Sequence, residues 1–292
     1  MAVECVELKV RRLEEAVVQL IRKAAIELPS DVKEALWKAY KSETSKIGRI
    51  QLKAILENIT AAESAGKPLC QDTGLISFYV RSRSIDHMAV EKALRRAVVR
   101  ASRLVPLRPS VVHPLTRLNT GNNTGNRIPN ILWMLEDIDH MEVTVVLKGA
   151  GSENSSDLYM LPPGEGVKGV KRTVVEAVVK AGGQPCPPTI VNIGLGGTVD
   201  LTFKMAKLAL IRPLGKRHPE GGIAELEREL LRLVNSTGVG PMGLGGRNTA
   251  LEVKIEYAHG HTASLPLAVN FQCWADRRAT LRIHPDGSAE IF

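Results

Sequence analysis

The chain has 292 residues, of which 44% are apolar, 24% charged and only 4% aromatic, and it carries a formal net charge of +8. This is the balance of a globular chain with a sizeable core built mostly from Leu, Val, Ile and Ala. No apolar run approaches bilayer-spanning length, and Met1–Val10, with two Glu, does not read as a secretory signal. A cytoplasmic protein with no membrane partner is expected. Lys and Arg are scattered among Glu with no basic–aromatic alternation, so the charge argues against a nucleic-acid partner. It reads as solvated helix faces, and part of it can attract a dianion.

In chain order, Leu8, Leu13, Val17, Leu20, Ile21 and Ala24 recur on one face and predict a helix over 6–27, closed by Pro29. Ser30 caps a second helix to about Tyr40. Thr44 and Ser45 offer caps for a third over 46–64, which Ala65-Gly66-Lys67-Pro68 breaks. An apolar run, Leu75–Val80, follows, and Asp86 caps a helix over 88–104. The stretch 107–129 is rich in Pro, Gly and Asn and reads as a long ordered loop or a set of short strands, the kind of segment that carries binding groups. Strands are predicted over 141–147, 189–193, 250–257, 265–270 and 279–284. Helices are predicted over 165–181, 199–211 and 220–235. The fold class is therefore mixed α+β: a helical lead, about 6–64, and a mixed α/β body, about 68–292, in a single subunit of 292 residues.

The four cysteines form no CxxC pair. Cys70, Cys186 and Cys273 each fall in a polar or glycine-rich segment, whereas structural cysteines usually sit among apolar neighbours. In Pro68-Leu69-Cys70-Gln71-Asp72-Thr73-Gly74 a soft metal ligand adjoins hard hydrogen-bonding groups. Taken alone it reads equally well as a strand-entry turn with a free thiol. In Ala181-Gly182-Gly183-Gln184-Pro185-Cys186-Pro187-Pro188 the prolines fix φ and remove donors, a frame that suits a positioned ligand. His259-Gly260-His261 precedes Phe271-Gln272-Cys273-Trp274, and either His can shuttle a proton, bind an anion or simply be hydrogen-bonded. Arg117, in Arg117-Leu118-Asn119-Thr120-Gly121-Asn122-Asn123, can clamp a carboxylate with two parallel bonds. Gly149-Ala150-Gly151-Ser152-Glu153-Asn154 offers small and polar groups at a strand end. Gly194-Leu195-Gly196-Gly197 and Gly243-Leu244-Gly245-Gly246 lack the dinucleotide spacing and read as tight turns or as backbone amides close to an anion or cluster.

Eight blocks in order carry a resemblance: PLCQDTG at 68–74, RLNTGNN at 117–123, KGAGSENSS at 148–156, MLPPGEG at 160–166, AGGQPCPP at 181–188, IGLGGT at 193–198, GPMGLGG at 240–246 and FQCWADRR at 271–278. Together they resemble the alpha subunits of the two-subunit class I fumarate hydratases and L(+)-tartrate dehydratases, and the N-terminal half of single-chain class I fumarases. The resemblance implies a [4Fe–4S] cluster ligated by Cys70, Cys186 and Cys273 with one open iron; three thiolates do leave one corner free. It implies substrate contacts from Gln71, Asp72 and Arg117, from the Gly151 backbone and from His261, with Asp72 and His261 in supporting catalytic roles. It also implies a separate beta subunit, in an α2β2 assembly, that supplies the general base and further carboxylate-binding groups. The expected reaction is reversible hydration of fumarate to (S)-malate, preferred because fumarate enzymes are the commoner members. The alternative is dehydration of L(+)-tartrate to oxaloacetate. Other readings are a redox iron–sulfur protein, which needs Cys5 as fourth ligand, a structural zinc site using His259 or His261, and a non-enzymatic scaffold.

Overall fold

The computed structural model describes residues 2–292, with side chains from Arg12 onward; Cys5 and Leu8 lie outside the described side chains. In chain order the helices are α1 (Ala2–Ile26), α2 (Ser30–Ser42), α3 (Lys46–Ala65), α4 (His87–Leu104), α5 (Ala150–Asn154), α6 (Gly166–Ala181), α7 (Val199–Ile211) and α8 (Gly221–Ser236). The strands are β1 (Leu75–Ser82), β2 (Asn130–Leu135), β3 (Met141–Lys148), β4 (Asp157–Leu161), β5 (Thr189–Gly196), β6 (Ala250–Ala258), β7 (Leu265–Gln272), β8 (Arg278–Ile283) and β9 (Ala289–Ile291). The mixed α+β class, with helices leading, is what the sequence pattern predicts. The caps follow too. Asp86 accepts from the Ala89 N–H at 3.0 Å, and the Ser45 hydroxyl accepts from the Gly48 N–H at 3.2 Å. Strands β2, β4 and β9 and the short helix α5 were not expected.

The chain divides into two compact units. The first comprises Met1–Pro29, Ile59–Gly149 and Arg277–Phe292. Its sheet has the order β2-β1-β3-β8-β9, parallel only between β1 and β2. Strand alternation puts Ile76, Phe78 and Val80 on one face, paired across with Leu147, Val145 and Val143, and these last two with Ala279 and Leu281. Helices α1 and α4 cover that face. The α4 stripe of Ala93, Ala97 and Ala101 is fully buried, and its small side chains let the helix lie close. Each fully buried Leu, Val or Phe in this layer contributes about 1.5–3 kcal/mol. On the opposite face Glu142 is held by Arg81 at 2.7 Å and Arg282 at 2.9 Å, and the Thr144 and Thr280 hydroxyls meet at 2.9 Å.

The second unit comprises Ser30–Asn58 and Ala150–Asp276. Its sheet has the order β4-β7-β5-β6, with β5 and β6 parallel and the other pairs antiparallel. Val191, Ile193, Val253, Ile255, Leu267, Val269 and Phe271 face a core closed by α6 and α8. The other face receives α7. It lies so close that a Cβ on Gly194 would stand 1.8 Å from the Thr202 carbonyl oxygen. On this face Asn270 donates to the Ala206 carbonyl at 3.4 Å, and buried Lys254 donates to the Leu210 carbonyl at 3.2 Å, capping the negative end of α7.

The antiparallel register of β5 and β7 defines two ends of this sheet. Ile190 faces Gln272 at one end and Leu195 faces Leu267 at the other. The first end is flanked by Cys186 and Cys273, the second by the Gly196-Gly197 turn and the His259–His261 loop.

Candidate functional site

In the first unit the loop carrying Cys70 is fixed at several points. The Leu69 N–H donates to the Ala25 carbonyl at 3.0 Å, and Thr73 Oγ1 accepts from the Arg108 N–H at 3.0 Å. Gly74, at φ +79°, lies flat on β3; a Cβ there would meet the Lys148 backbone at 2.6 Å. Cys70 is a free, half-buried thiol and Gln71 is exposed. Asp72 accepts from the Gly74 N–H at 2.9 Å, while its backbone carbonyl accepts from Nη1 of Arg277 at 2.6 Å. Its other carboxylate oxygen packs against Gly149, where an added Cβ would stand 2.9 Å away. Asp72 is therefore anchored, and Arg277, only 1% exposed, holds its backbone. Nothing in the sequence distinguished Arg277 from its neighbour Arg278; only its contact 205 residues away does.

The segment 107–129 is an ordered loop with two short bridges, Val112–Asn119 and Gly125–Ile128. Asn123 braces it by accepting from the Ser110 N–H at 2.8 Å and donating to the Ser102 hydroxyl at 3.0 Å. Arg117 stands on its exposed tip in the left-handed region, φ +59°, and its N–H donates to the His113 carbonyl at 2.9 Å. Its guanidinium has no ion-pair partner among the described residues, so both edges are open to a carboxylate.

In the second unit three loops meet at the first end of the sheet. Cys186 adopts φ +54°, held by its N–H donating to Gly183 at 3.1 Å. The Trp274 N–H donates to the Cys186 carbonyl at 3.3 Å, which joins the two cysteine segments directly. The Met242 N–H donates to the Pro187 carbonyl at 2.8 Å, and Gly183 and Gly243 approach so closely that a Cβ on Gly243 would stand 2.5 Å from the Gly183 Cα. Gly151, in α5, lies under the same loop; its Cβ would meet the Gln184 carbonyl oxygen at 2.6 Å. Both thiols are half-buried and in no disulfide. Directly before Cys273, Gln272 is fully buried with neither amide atom hydrogen-bonded. Two unoxidised thiols in a glycine–proline frame, beside an open buried amide, suit a soft metal group as donors. Cys70 belongs to the other unit, and neither unit groups three His, Cys, Asp or Glu side chains as a metal cage among the described residues.

Glu43 is the anchor of the third loop. Only 4% exposed, it accepts from the N–H groups of Thr44, Ser45, Arg247 and Asn248 and from the Asn248 side chain, all within 3.1 Å. Burial alone would raise its pKa, but these donors outweigh it and bring the carboxyl from 4.5 down to about 2. Sequence reasoning missed it because its partners lie 204 and 205 residues away.

His261 lies at the opposite end of the sheet. It is exposed, its Nδ1 accepts from the Ala263 N–H at 3.1 Å, and it lines a cavity of about 610 Å³ with Gly197, Thr198, His259 and Ser264. Thr198 is the N-cap residue of α7, so the glycine turn leads into a helix start. Between His261 and Cys273 runs all of β7, a strand of eight residues that spans roughly 25 Å. Their closeness in sequence is not closeness within the unit.

A family model described as fumarate hydratase (Fumerase) matches residues 14–282. The chain is 50% identical over 281 residues to the protein named "Putative L(+)-tartrate dehydratase subunit alpha" of Methanocaldococcus jannaschii, covering 94% of this chain and 99% of that one. It is 35% identical over 280 residues to the L(+)-tartrate dehydratase subunit alpha of Escherichia coli strain UTI89, covering 95% and 92%. With the strain K12 protein of the same name the identity is 34% over 280 residues. No helix among the described residues is long and apolar enough to cross a membrane. The chain belongs to the class I fumarate hydratase and L(+)-tartrate dehydratase alpha-subunit family.

Proposed function

We propose that this chain is the alpha subunit of a two-subunit hydro-lyase that removes water from L(+)-tartrate. The observation that carries the substrate is the 50% identity over nearly the full length of both chains to a protein named for tartrate, with further tartrate-named relatives at 34–35%. This displaces the expectation of fumarate, which stood on the commonness of fumarate enzymes alone. The second reading, hydration of fumarate to (S)-malate, is favoured by the description of the matching family model.

In the tartrate reaction a proton leaves one hydroxyl-bearing carbon and hydroxide leaves the other. The resulting enol, with its carbon–carbon double bond, tautomerises to oxaloacetate. Cys70, Cys186 and Cys273 are the residues that would hold a [4Fe–4S] cluster, which when bound supplies a Lewis acid at its one iron without a protein thiolate. Arg117, with an open guanidinium on a braced loop, binds one substrate carboxylate and orients the diacid. Gln71 and Asp72, beside Cys70, offer an amide and a carboxylate for the substrate's polar groups. Asp72 is held in place by Gly74 and Arg277, which suits it to positioning more than to proton transfer. Gly151 keeps its backbone against the Cys186 loop and offers an N–H to a carboxylate. The resemblance gives His261 a substrate contact, but β7 sets it roughly 25 Å from Cys273 in the same chain, so it stands outside this constellation.

A beta subunit completes the site and supplies the general base. The complex, purified without oxygen together with its partner subunit, is expected to form oxaloacetate from L(+)-tartrate with a larger kcat/KM than it forms fumarate from (S)-malate. The reverse order would assign the chain to the fumarate branch. Alone, the chain is expected to take up the cluster and turn over poorly.

A further inference from the structure

Gln272 ends β7 and is completely buried, yet neither its Nε2 nor its Oε1 has a hydrogen-bond partner. An unmade hydrogen bond in a buried amide is costly, and native cores rarely tolerate one without a purpose. A leucine or methionine at this site would bury the same volume without that cost. Strand alternation places Gln272 on the face of β7 shared with Ala268 and Asn270, opposite the core face of Val269 and Phe271. Asn270 on that face is satisfied, by the Ala206 carbonyl and by the Ser156 hydroxyl at 3.2 Å. Through the register Ile190–Gln272 and Asn192–Asn270, the diagonal neighbour of Gln272 is Asn192, whose Oδ1 is also open. Open amide capacity is thus gathered at the end of the sheet where the backbone link from Trp274 to Cys186 joins the two cysteine segments.

We propose that Gln272 is a positioning residue for the group held by Cys186 and Cys273, its Nε2–H donating to that group when it is bound. The inference builds on the cluster reading above. Such neighbouring donors orient metal ligands and tune the potential of the metal group, and their loss typically weakens binding on the order of 10–100-fold. The Nε2–H is then unpaired in the empty protein and satisfied in the loaded one, a local violation of packing rules kept for function.

The test uses the full chain with its partner subunit, as wild type and as the variants Gln272→Met and Gln272→Leu. Without metal, both variants are expected to melt at or above the wild-type temperature, because an unsatisfied amide has been removed. After anaerobic loading with iron and sulfide they are expected to lose iron to a chelator roughly tenfold faster or more, with a shifted cluster reduction potential. Wild-type rates of iron loss and a wild-type potential in both variants would overturn the proposal. So would apo variants that melt lower or fail to fold, which would make Gln272 a structural residue of a polar pocket with Asn192. A wild-type protein that takes up no cluster would instead remove the reading beneath, a result seen before any variant is compared.

Discussion

Gly151 and Arg117 separate two kinds of contribution that the proposed function asks of single residues. A methyl group at Gly151 would meet the Gln184 carbonyl oxygen at 2.6 Å, and backbone must move to admit it. That movement reaches Cys186, two residues on. Gly151→Ala is therefore expected to lower iron content along with activity, as measured on the purified complex. Unchanged iron content would show that the Cys186 loop absorbs the displacement. Arg117 stands on an exposed tip away from any cysteine in sequence, so Arg117→Ala is expected to leave iron content intact. It should reduce kcat/KM by about 10- to 10²-fold, the scale of losing one charged hydrogen-bonded carboxylate contact of about 1.5–3 kcal/mol. A fall of less than threefold would take Arg117 out of the substrate clamp. At this scale the sequence was only partly legible. Cysteines in polar, glycine-rich surroundings stand out by type, and so does an Arg in a loop of turn formers. Arg277, Glu43 and Gln272 do not, because what marks them is burial, together with partners far along the chain for the first two and an unpaired amide for the third.

Elements were legible where one local signal sufficed. The helices α2, α3, α4, α6, α7 and α8 lie within two residues of their expected ends, because an apolar stripe is written into each, and α3 and α4 add the caps Ser45 and Asp86. The strand β2 was missed because Asn130–Leu135 is a half-exposed edge paired to one neighbour, without apolar–polar alternation. β4 and β9 are too short, at five and three residues, to show a period. The packing of α7 on β5 leads to a sharp expectation. Gly194→Ala would put a methyl group 1.8 Å from the Thr202 carbonyl, so the helix must lift from the sheet and the second unit should fail to fold or melt far lower, as circular dichroism would record. The loop 240–248 adds a pH dependence. Glu43 has a folded pKa of about 2 against 4.5 in an unfolded chain. Its contribution is present in full above pH 4.5 and is lost as the pH falls toward 2, amounting to about 3 kcal/mol. Glu43→Gln is expected to lower stability at pH 7 and to flatten the fall between pH 4.5 and 2; equal slopes in the two proteins would contradict this.

At the scale of the whole molecule, the resemblance carried by ordered blocks and the family match agree over residues 14–282, while the substrate is legible from relatives more than from this chain's own residues. Tartrate differs from malate by one hydroxyl, and discrimination between them depends on polar groups placed to meet it. The two compact units divide the candidate site residues by sequence: Cys70, Gln71, Asp72 and Arg117 in one, Cys186, Cys273, Gly151 and His261 in the other. No periodicity announces such a division, since the first unit closes with β8 and β9 at the far end of the chain. In the proposed function the three cysteines act as one ligand set. Iron and acid-labile sulfide per chain, measured on the anaerobically purified wild type and on Cys70→Ser, Cys186→Ser, Cys273→Ser and Cys5→Ser, tests it most directly. The expected result is about four iron and four sulfide per chain in the wild type and in Cys5→Ser, with marked loss in each of the other three. Wild-type iron content in any of those three, or zinc in place of iron, would contradict it.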